Sequence, residues 1–352
     1  MVFFKEIVYE EIDKRKNDAI LAADIGGTTT DLGVLIENKG KLKLLISLHL
    51  QSKEIKNFTK VVIEILEHLK DKHNMKISKS CFAGAGVVSQ DKIKLTNLSW
   101  DVNLKEIEKK TKLKSIILIN DFQAIAYGIE ALPKKGILMV KSGKAVKGAA
   151  KVLIGAGTGL GKAILLFDED KKQYVPFPSE GGHGDLPMLN KEELRLREFI
   201  QKNTGNDIVE WEDVLSGRGL SNIYNFLEKS RKYKKTSCSH EIKRSKYDPM
   251  IITKHKNKDK QCRDTFSIFL KFYGRCAKNF ALDVLAEGGI YIGGGIAAKN
   301  SSIFKKESFK KELTKTKKLG KVLKKIPVYV IKDYNVSLYG AAAAALRGKG
   351  GK

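Results

Sequence analysis

One pattern occurs twice. Residues 19–36, AILAADIGGTTTDLGVLI, and residues 150–167, AKVLIGAGTGLGKAILLF, each pass from a short apolar run through a Gly/Thr turn into a second apolar run. Gly27-Thr28 of the first copy corresponds to Gly157-Thr158 of the second. Strand-length runs around a glycine-rich turn read as β-hairpins. Each hairpin is followed by another strand-like run, at 42–48 (LKLLISL) and at 173–177 (QYVPF). The repeat restricts the chain to two related α/β halves, and 352 residues are too many for one ordinary core. Duplicated lobes leave a cleft between the copies, where ligands often bind.

The remaining segments supply the other layers. Residues 56–70 carry Val61, Val62, Ile65, Leu66 and Leu69 at helical spacing, while 80–84 and 115–120 read as buried strands. Residues 263–287 form an amphipathic helix stopped by Gly288-Gly289. IYIGGGI (290–296) is a strand followed by a glycine turn, IPVYVI (326–331) a last strand and SLYGAAAAALRG (337–348) a last helix.

Several function classes are disfavoured. No stretch approaches the roughly 20 apolar residues of a membrane helix. The opening MVFFKEIVYEEIDKRKND is charged throughout and lacks the apolar region of a secretory signal, so a cytoplasmic location is expected. Four cysteines (Cys81, Cys238, Cys262 and Cys276) are scattered without a C-x-x-C pair, against a disulfide framework or a zinc cluster. Cys81 lies in an apolar run and reads as a buried thiol. None of the six histidines has a paired spacing, so no dedicated transition-metal site is expected. The net charge of +26 raises the question of nucleic acid. Only nine of the 66 basic residues are Arg, however, and the lysines are spread along most of the chain. Solvated lysine-rich faces explain this better than a nucleic-acid site, with 229–260 as the densest basic stretch.

The two turns, DIGGTTT (24–30) and GAGTGLG (155–161), suit phosphate. Glycine lets backbone N–H groups converge on an anion, and Thr adds a hydroxyl donor. Neither turn is a Walker A loop, and neither opens a Rossmann unit, because each leads into a strand rather than a helix. Gly293-Gly294-Gly295 forms a third cluster. Asp24 ends the first strand just before its turn. A carboxylate there suits a cation lying between it and phosphate, magnesium being the usual one; an Asx-type turn is the plainer alternative. The strand at 115–120 ends in Asn120 and Asp121, where a helix N-cap also belongs.

At these residues the chain resembles the bacterial-type glucokinases of the actin-like sugar-kinase superfamily. The similarity spans about residues 19–348. It rests on DIGGTTTDLG (24–33), LTNLSW (95–100), INDFQAIA (119–126), GAGTGLGKA (155–163), PSEGGHGD (178–185), EDVLSGRGL (212–220) and GGGI (293–296), in family order. The resemblance implies a two-lobed actin-like ATPase fold, a duplicated ribonuclease H-like unit with an inter-lobe cleft. Residues 18–131 with 335–352 would form the small lobe and 132–334 the large lobe, after an N-terminal extension at 1–17. It also implies ATP-dependent phosphorylation of the 6-hydroxyl of D-glucose, with Asp121 as general base. An Asp with an ordinary pKa of ~3.9 serves when the transition state is loose and the proton leaves late. Asn97, Asn120, Asp121, Glu180, His183 and Glu212 match the sugar-contacting positions. Only the spacing to VLSG selects Glu212 over Glu210. Asp24, Gly26, Gly27, Thr28, Gly157, Thr158 and Gly159 would face the phosphates and Gly293, Gly294 and Gly295 the adenosine, with Mg2+ near Asp24 through water. A homodimer, joined through helices of the large lobe, is also implied.

The chain departs from the pattern at Asp31, where many relatives carry Arg or Lys. A carboxylate facing the phosphates would repel them. Another hexose or an amino sugar would fit the same fold. So would a sugar-responsive regulator, although the presence of Asp121 favours an enzyme. The phosphate donor (ATP, ADP or polyphosphate) is left open.

Overall fold

The computed structural model describes residues 3–10, 18–96, 98–230 and 232–348. They divide into two compact units. The first takes the described residues up to Gly136, Tyr174–Pro178 and those from Asp333 on; the second takes Ile137–Gln173 and Ser179–Lys332.

The first unit opens with four strands, β1 (Lys5–Val8), β2 (Ala19–Ile25), β3 (Thr29–Asn38) and β4 (Lys41–Gln51). Helix α1 (Phe58–His73) leads to β5 (Ile77–Gly84). A small sheet of β6 (Gly86–Val88), β7 (Lys92–Leu95) and β8 (Val102–Asn103) comes next, then α2 (Leu104–Thr111), β9 (Ile116–Asn120) and α3 (Asp121–Ala131). The second unit opens with β10 (Ile137–Lys141), β11 (Lys151–Ala156) and β12 (Leu160–Asp168); β13 (Gln173–Ser179) comes next, with its Tyr174–Pro178 in the first unit. Five helices follow: α4 (Lys191–Thr204), α5 (Gly217–Lys229), α6 (Ser237–Arg244), α7 (Pro249–Lys254) and α8 (Lys260–Asp283). It ends with β14 (Gly289–Gly293), α9 (Gly295–Lys299), α10 (Glu307–Thr314), α11 (Gly320–Lys325) and β15 (Val328–Ile331). Helix α12 (Val336–Arg347) returns to the first unit.

The sequence repeat is a repeat of topology. The first sheet has the order β1-β4-β3-β2-β5-β9 and the second β10-β15-β14-β11-β12-β13. The hairpins β2/β3 and β11/β12 are antiparallel. In each unit two strands then add in parallel beside the first hairpin strand: β5 and β9 beside β2, and β14 and β15 beside β11. Strands β2 and β11 sit mid-sheet and are buried almost end to end, which is why both read as continuous apolar runs. Parallel neighbours need crossovers, and α1 lies on the one that returns the chain from β4 to β5 beside β2. That helix is capped by the Asn57 side chain, which accepts from Lys60 N–H at 2.9 Å, and it stops at Asn74 with φ 51°.

In the first unit α12 packs on α3 at backbone distance. A Cβ on Gly340 would sit 1.7 Å from the Ala124 carbonyl oxygen, and one on Gly128 would sit 2.3 Å from the Val336 carbonyl oxygen. The run of small residues in α12 is therefore a packing requirement. Gly340→Ala must push the helices apart, and we expect a loss of about 3 kcal/mol, read as a lower urea midpoint. An unchanged midpoint would show that the contact yields.

In the second unit α8 runs through the core, with Phe266, Phe269, Leu270 and Tyr273 at most 1% exposed. It ends four residues earlier than the sequence suggests. Asp283 is its last residue, and Leu285 takes up the left-handed conformation at φ 46° before Gly288 and Gly289. The basic stretch at 229–260 is folded rather than tail-like: Ile242 of α6 and Ile252 of α7 are fully buried. Its one buried histidine, His255, donates from Nε2 to Glu241 Oε2 at 2.7 Å. Among the described residues no helix is long and apolar enough to cross a membrane.

Candidate active site

Register puts the polar residues of the first unit at one edge. Along the parallel strands Ile25 is level with Gly84, and Gly84 with Asn120. The carboxyl ends of β2, β5 and β9 are therefore aligned, and open α/β sheets bind ligands beyond such ends. Asp24 lies one residue before the end of β2, and Asp121 follows β9 as the first residue of α3. Asn120 caps α3, its Oδ1 accepting from Phe122 N–H at 2.8 Å; Asp121 Oδ1 accepts the same N–H at 2.9 Å. Cap and carboxylate thus share one turn, as the sequence suggests. The hairpin turn is braced from β4. Gly26 N–H donates to Thr29 O at 2.9 Å, and Ser52 Oγ donates to Gly26 O at 2.7 Å. Trp100 Nε1–H in turn donates to Ser52 O at 3.1 Å. Gly27 is half-buried and Thr28 exposed. Asn97 lies outside the described residues.

Charge is concentrated at this edge. The Asp24 carboxyl is pushed up to about 7, first by burial and further by Asp121 and Asp31; a hydrogen bond from Ser337 works the other way. Asp31 faces Asp24 directly across the β2/β3 ladder, and His49 faces Asp31 across β3/β4. The departure at Asp31 therefore does place a second carboxylate beside Asp24. That carboxylate has a local hydrogen-bond partner, since His49 Nδ1 meets Asp31 Oδ1 at 2.6 Å and His49 Nε2 meets Ser47 Oγ at 2.8 Å.

The second unit repeats the edge. Gly155 of β11 is level with Gly293 of β14, so the Gly157–Gly159 turn and Gly294-Gly295 leave the sheet side by side. Gly157 N–H donates to Gly159 O and Gly217 N–H to Gly157 O, both at 2.8 Å. Thr158 is exposed at the tip, and a Cβ on Gly157 or on Gly295 would meet nothing within 4 Å. Gly294 is different. With φ 84° and a Cβ position 2.6 Å from Ala156 O, only glycine fits.

Beside this turn sit the carboxylates of PSEGGHGD and EDVLSGRGL. Glu212 Oε2 accepts from Leu160 N–H at 2.8 Å, so it closes the hairpin turn from outside, and its Oε1 lies 3.3 Å from Arg218 Nη2. Arg218 also reaches Asp213 at 3.2 Å. His183 Nδ1 meets Glu210 Oε2 at 2.7 Å, and its pKa is raised mainly by that bond, with Glu212 and Glu180 adding to it. Glu180, His183 and Glu212 are thus brought together around the 157–159 turn. Glu210, which spacing sets aside, is the direct partner of His183. Spacing also gives no hint of Arg218, or of Ser337 and His49, whose partners lie farther along the chain.

The family model described as Glucokinase matches residues 21–348. The chain belongs to the glucokinase family. It is 33% identical over 342 residues to a glucokinase of Nostoc sp. (strain PCC 7120 / SAG 25.82 / UTEX 2576), covering 93% of this chain and 99% of that protein. It is 31% identical over 328 residues to a glucokinase of Agrobacterium fabrum, covering 93% and 91%. Among solved structures, a glucokinase from an Antarctic psychrotroph superposes with a TM-score of 0.81 at 25% identity, over 95% of this chain and all of the other. A ROK-family glucokinase from Streptomyces griseus, in complex with glucose and AMPPNP, has the same fold, with a TM-score of 0.63 at 16% identity over 94% of this chain and all of the other. The fold is that of the actin-like sugar kinases. The family's activity is ATP-dependent phosphorylation of glucose, and it is the activity of this chain.

Proposed function

We propose that Asp121 takes the proton of the glucose 6-hydroxyl as that oxygen attacks the γ-phosphorus of ATP, giving glucose 6-phosphate and ADP. The observation that carries this reading is the shared edge of the first sheet: β2, β5 and β9 end level with one another, so Asp121 at the start of α3 stands at the same edge as Asp24 and the hairpin turn. A base fixed at the end of a strand and tied to a helix cap is held rigidly, and phosphoryl transfer depends mainly on position and charge. Asn97, Asn120, Glu180, His183 and Glu212 pair with the remaining sugar hydroxyls. Such paired polar groups discriminate strongly between sugars. The N–H groups and hydroxyls of Gly26, Gly27, Thr28, Gly157, Thr158 and Gly159 hold phosphate oxygens, and Gly293–Gly295 allow close approach of the adenosine.

Asp24 offers a carboxylate oxygen at the carboxyl end of β2, a hard ligand that suits Mg2+ rather than a soft metal. Asp24 would hold it, through water. When bound, the ion supplies charge neutralisation between the phosphate oxygens. The wider family resemblance further supports a homodimer and a cytoplasmic location. Leu189, Leu194 and Ile208, exposed at and around α4, are among the apolar side chains the second unit offers for pairing.

The direct test is coupled ADP release across a hexose panel with Mg2+ and ATP. Glucose should give a kcat/KM at least about 10-fold above mannose and glucosamine, and ADP or polyphosphate should not replace ATP. Faster turnover of an amino sugar would move the specificity, and no turnover of any hexose would overturn the reading.

A further inference from the structure

Strand β1 is poorly explained by burial. Lys5, Ile7 and Val8 are exposed, and only Glu6 is partly covered. The strand hydrogen-bonds to β4 at the edge of the first sheet, but so short an edge strand with no apolar face gains little from packing. Its anchor is polar. Glu6 Oε1 receives His68 Nε2 at 3.0 Å and His73 Nε2 at 2.6 Å, both from α1, while Glu6 Oε2 accepts from the Lys72 ammonium. The rings are held in place: His68 stands edge-on to Phe4 at 5.0 Å and to His73 at 5.8 Å between centroids.

Two imidazole nitrogens and one carboxylate oxygen, all within 4.8 Å of one another, are a metal donor set. Around a tetrahedral zinc ion, with bonds of about 2.0–2.2 Å, ligand atoms stand roughly 3.3 Å apart. The nitrogens here approach the carboxylate oxygen more closely than that, at 2.6 and 3.0 Å, so an ion needs them to part by about 0.7 and about 0.3 Å. We propose that Glu6, His68 and His73 bind a borderline divalent cation of the zinc class, with water in the fourth position, and so staple β1 to α1. The mixed nitrogen and oxygen set favours such an ion over Mg2+ or Ca2+. Lys72 has two opposed effects. It holds one carboxylate oxygen and leaves the other for the metal, but its charge weakens cation binding. Sequence spacing conceals the site, because His68 and His73 are five apart on one helix and Glu6 comes from a strand 62 residues before His68.

The test uses the full chain without nucleotide, titrated with Zn2+ against a chromophoric chelator and with Co2+ followed by visible absorption. One saturable zinc site is expected, with the strong absorption of four-coordinate cobalt and a rise in Tm on adding zinc. His68→Ala with His73→Ala should abolish all three and leave glucose phosphorylation unchanged, while Lys72→Met should tighten zinc binding several-fold. If the double variant does not fold, Glu6→Gln alone serves, with at least a tenfold loss of zinc affinity expected. No saturable site in the parent chain, or equal affinity in the histidine or Glu6 variant, would overturn the proposal.

Discussion

Asp121→Asn should lower kcat by about 100- to 10,000-fold while leaving the Kd for glucose within a few-fold, the range expected on losing a general base. The substitution is nearly isosteric. Asn can keep the hydrogen bond from Phe122 N–H that Asp121 Oδ1 accepts at 2.9 Å, and Asn120 still caps α3 at 2.8 Å, so the helix start should survive. What disappears is the ability to take a proton and a negative charge at the strand edge. The second loss has its own signature. Asp121 helps to raise the Asp24 pKa, so removing its charge should bring the Asp24 value down toward its ordinary 3.8. A base mutant that also shifts the titration of a residue elsewhere on the same edge is hard to explain by general damage. Single-turnover rates with pre-bound ATP separate chemistry from binding. Near-normal turnover in Asp121→Asn would remove the residue from the reaction, whatever its position.

Much of this edge was legible before the fold. A carboxylate at the end of a buried strand, as in SIILINDFQA, and a Gly/Thr turn repeated in each half need only the periods of strands and the chemistry of glycine. Apolar runs marked the central strands, because β2, β5, β11 and β14 are buried over most of their length, but not their order in the sheets. Strand β1 escaped notice because its residues face water, and a four-residue edge strand has no pattern to read. The stop of α8 was misplaced for a related reason. Glycine is the usual stop signal, but Leu285 takes the left-handed conformation instead, and Gly288 is reserved for a place where a Cβ would meet Ala149 O at 2.3 Å. Partners across the chain were the least visible. The choice between Glu210 and Glu212 rests on spacing, whereas in the fold the two acids divide the work: Glu210 faces His183, and Glu212 ties its hairpin turn at Leu160 N–H. Similarly, the concern raised by Asp31 could not be weighed without His49, which strand pairing brings opposite it.

Asp24→Asn should stabilise the ligand-free protein above pH 7 and cripple it as an enzyme. The argument runs from the titration. The Asp24 carboxyl is raised from 3.8 to about 7 by burial and by Asp121 and Asp31, so between those values the folded protein binds a proton that the unfolded chain has released. Stability then falls with rising pH, because the native state holds more protons than the unfolded one. The contribution of Asp24 is complete below about pH 4 and is gone once the pH passes about 7. Asn carries no such penalty. Each pKa unit is worth about 1.4 kcal/mol, and because Asp24 is only partly screened from water we expect about 2 kcal/mol in favour of the variant at pH 8 and close to none at pH 4. Urea midpoints of the two proteins across pH 4–8 isolate Asp24 together with the carboxylates coupled to it, Asp121 and Asp31, since the titrating groups that do not interact with Asp24 cancel in the difference. Turnover should move the opposite way, with kcat/KM for MgATP down by at least about 100-fold, as expected when a charge aimed at phosphate and its cation is lost. Such opposition of stability and activity marks a residue kept for chemistry. A stability difference that does not grow with pH would show that Asp24 is ionised without strain, and the crowding of carboxylates at this strand edge would then need no cation to relieve it.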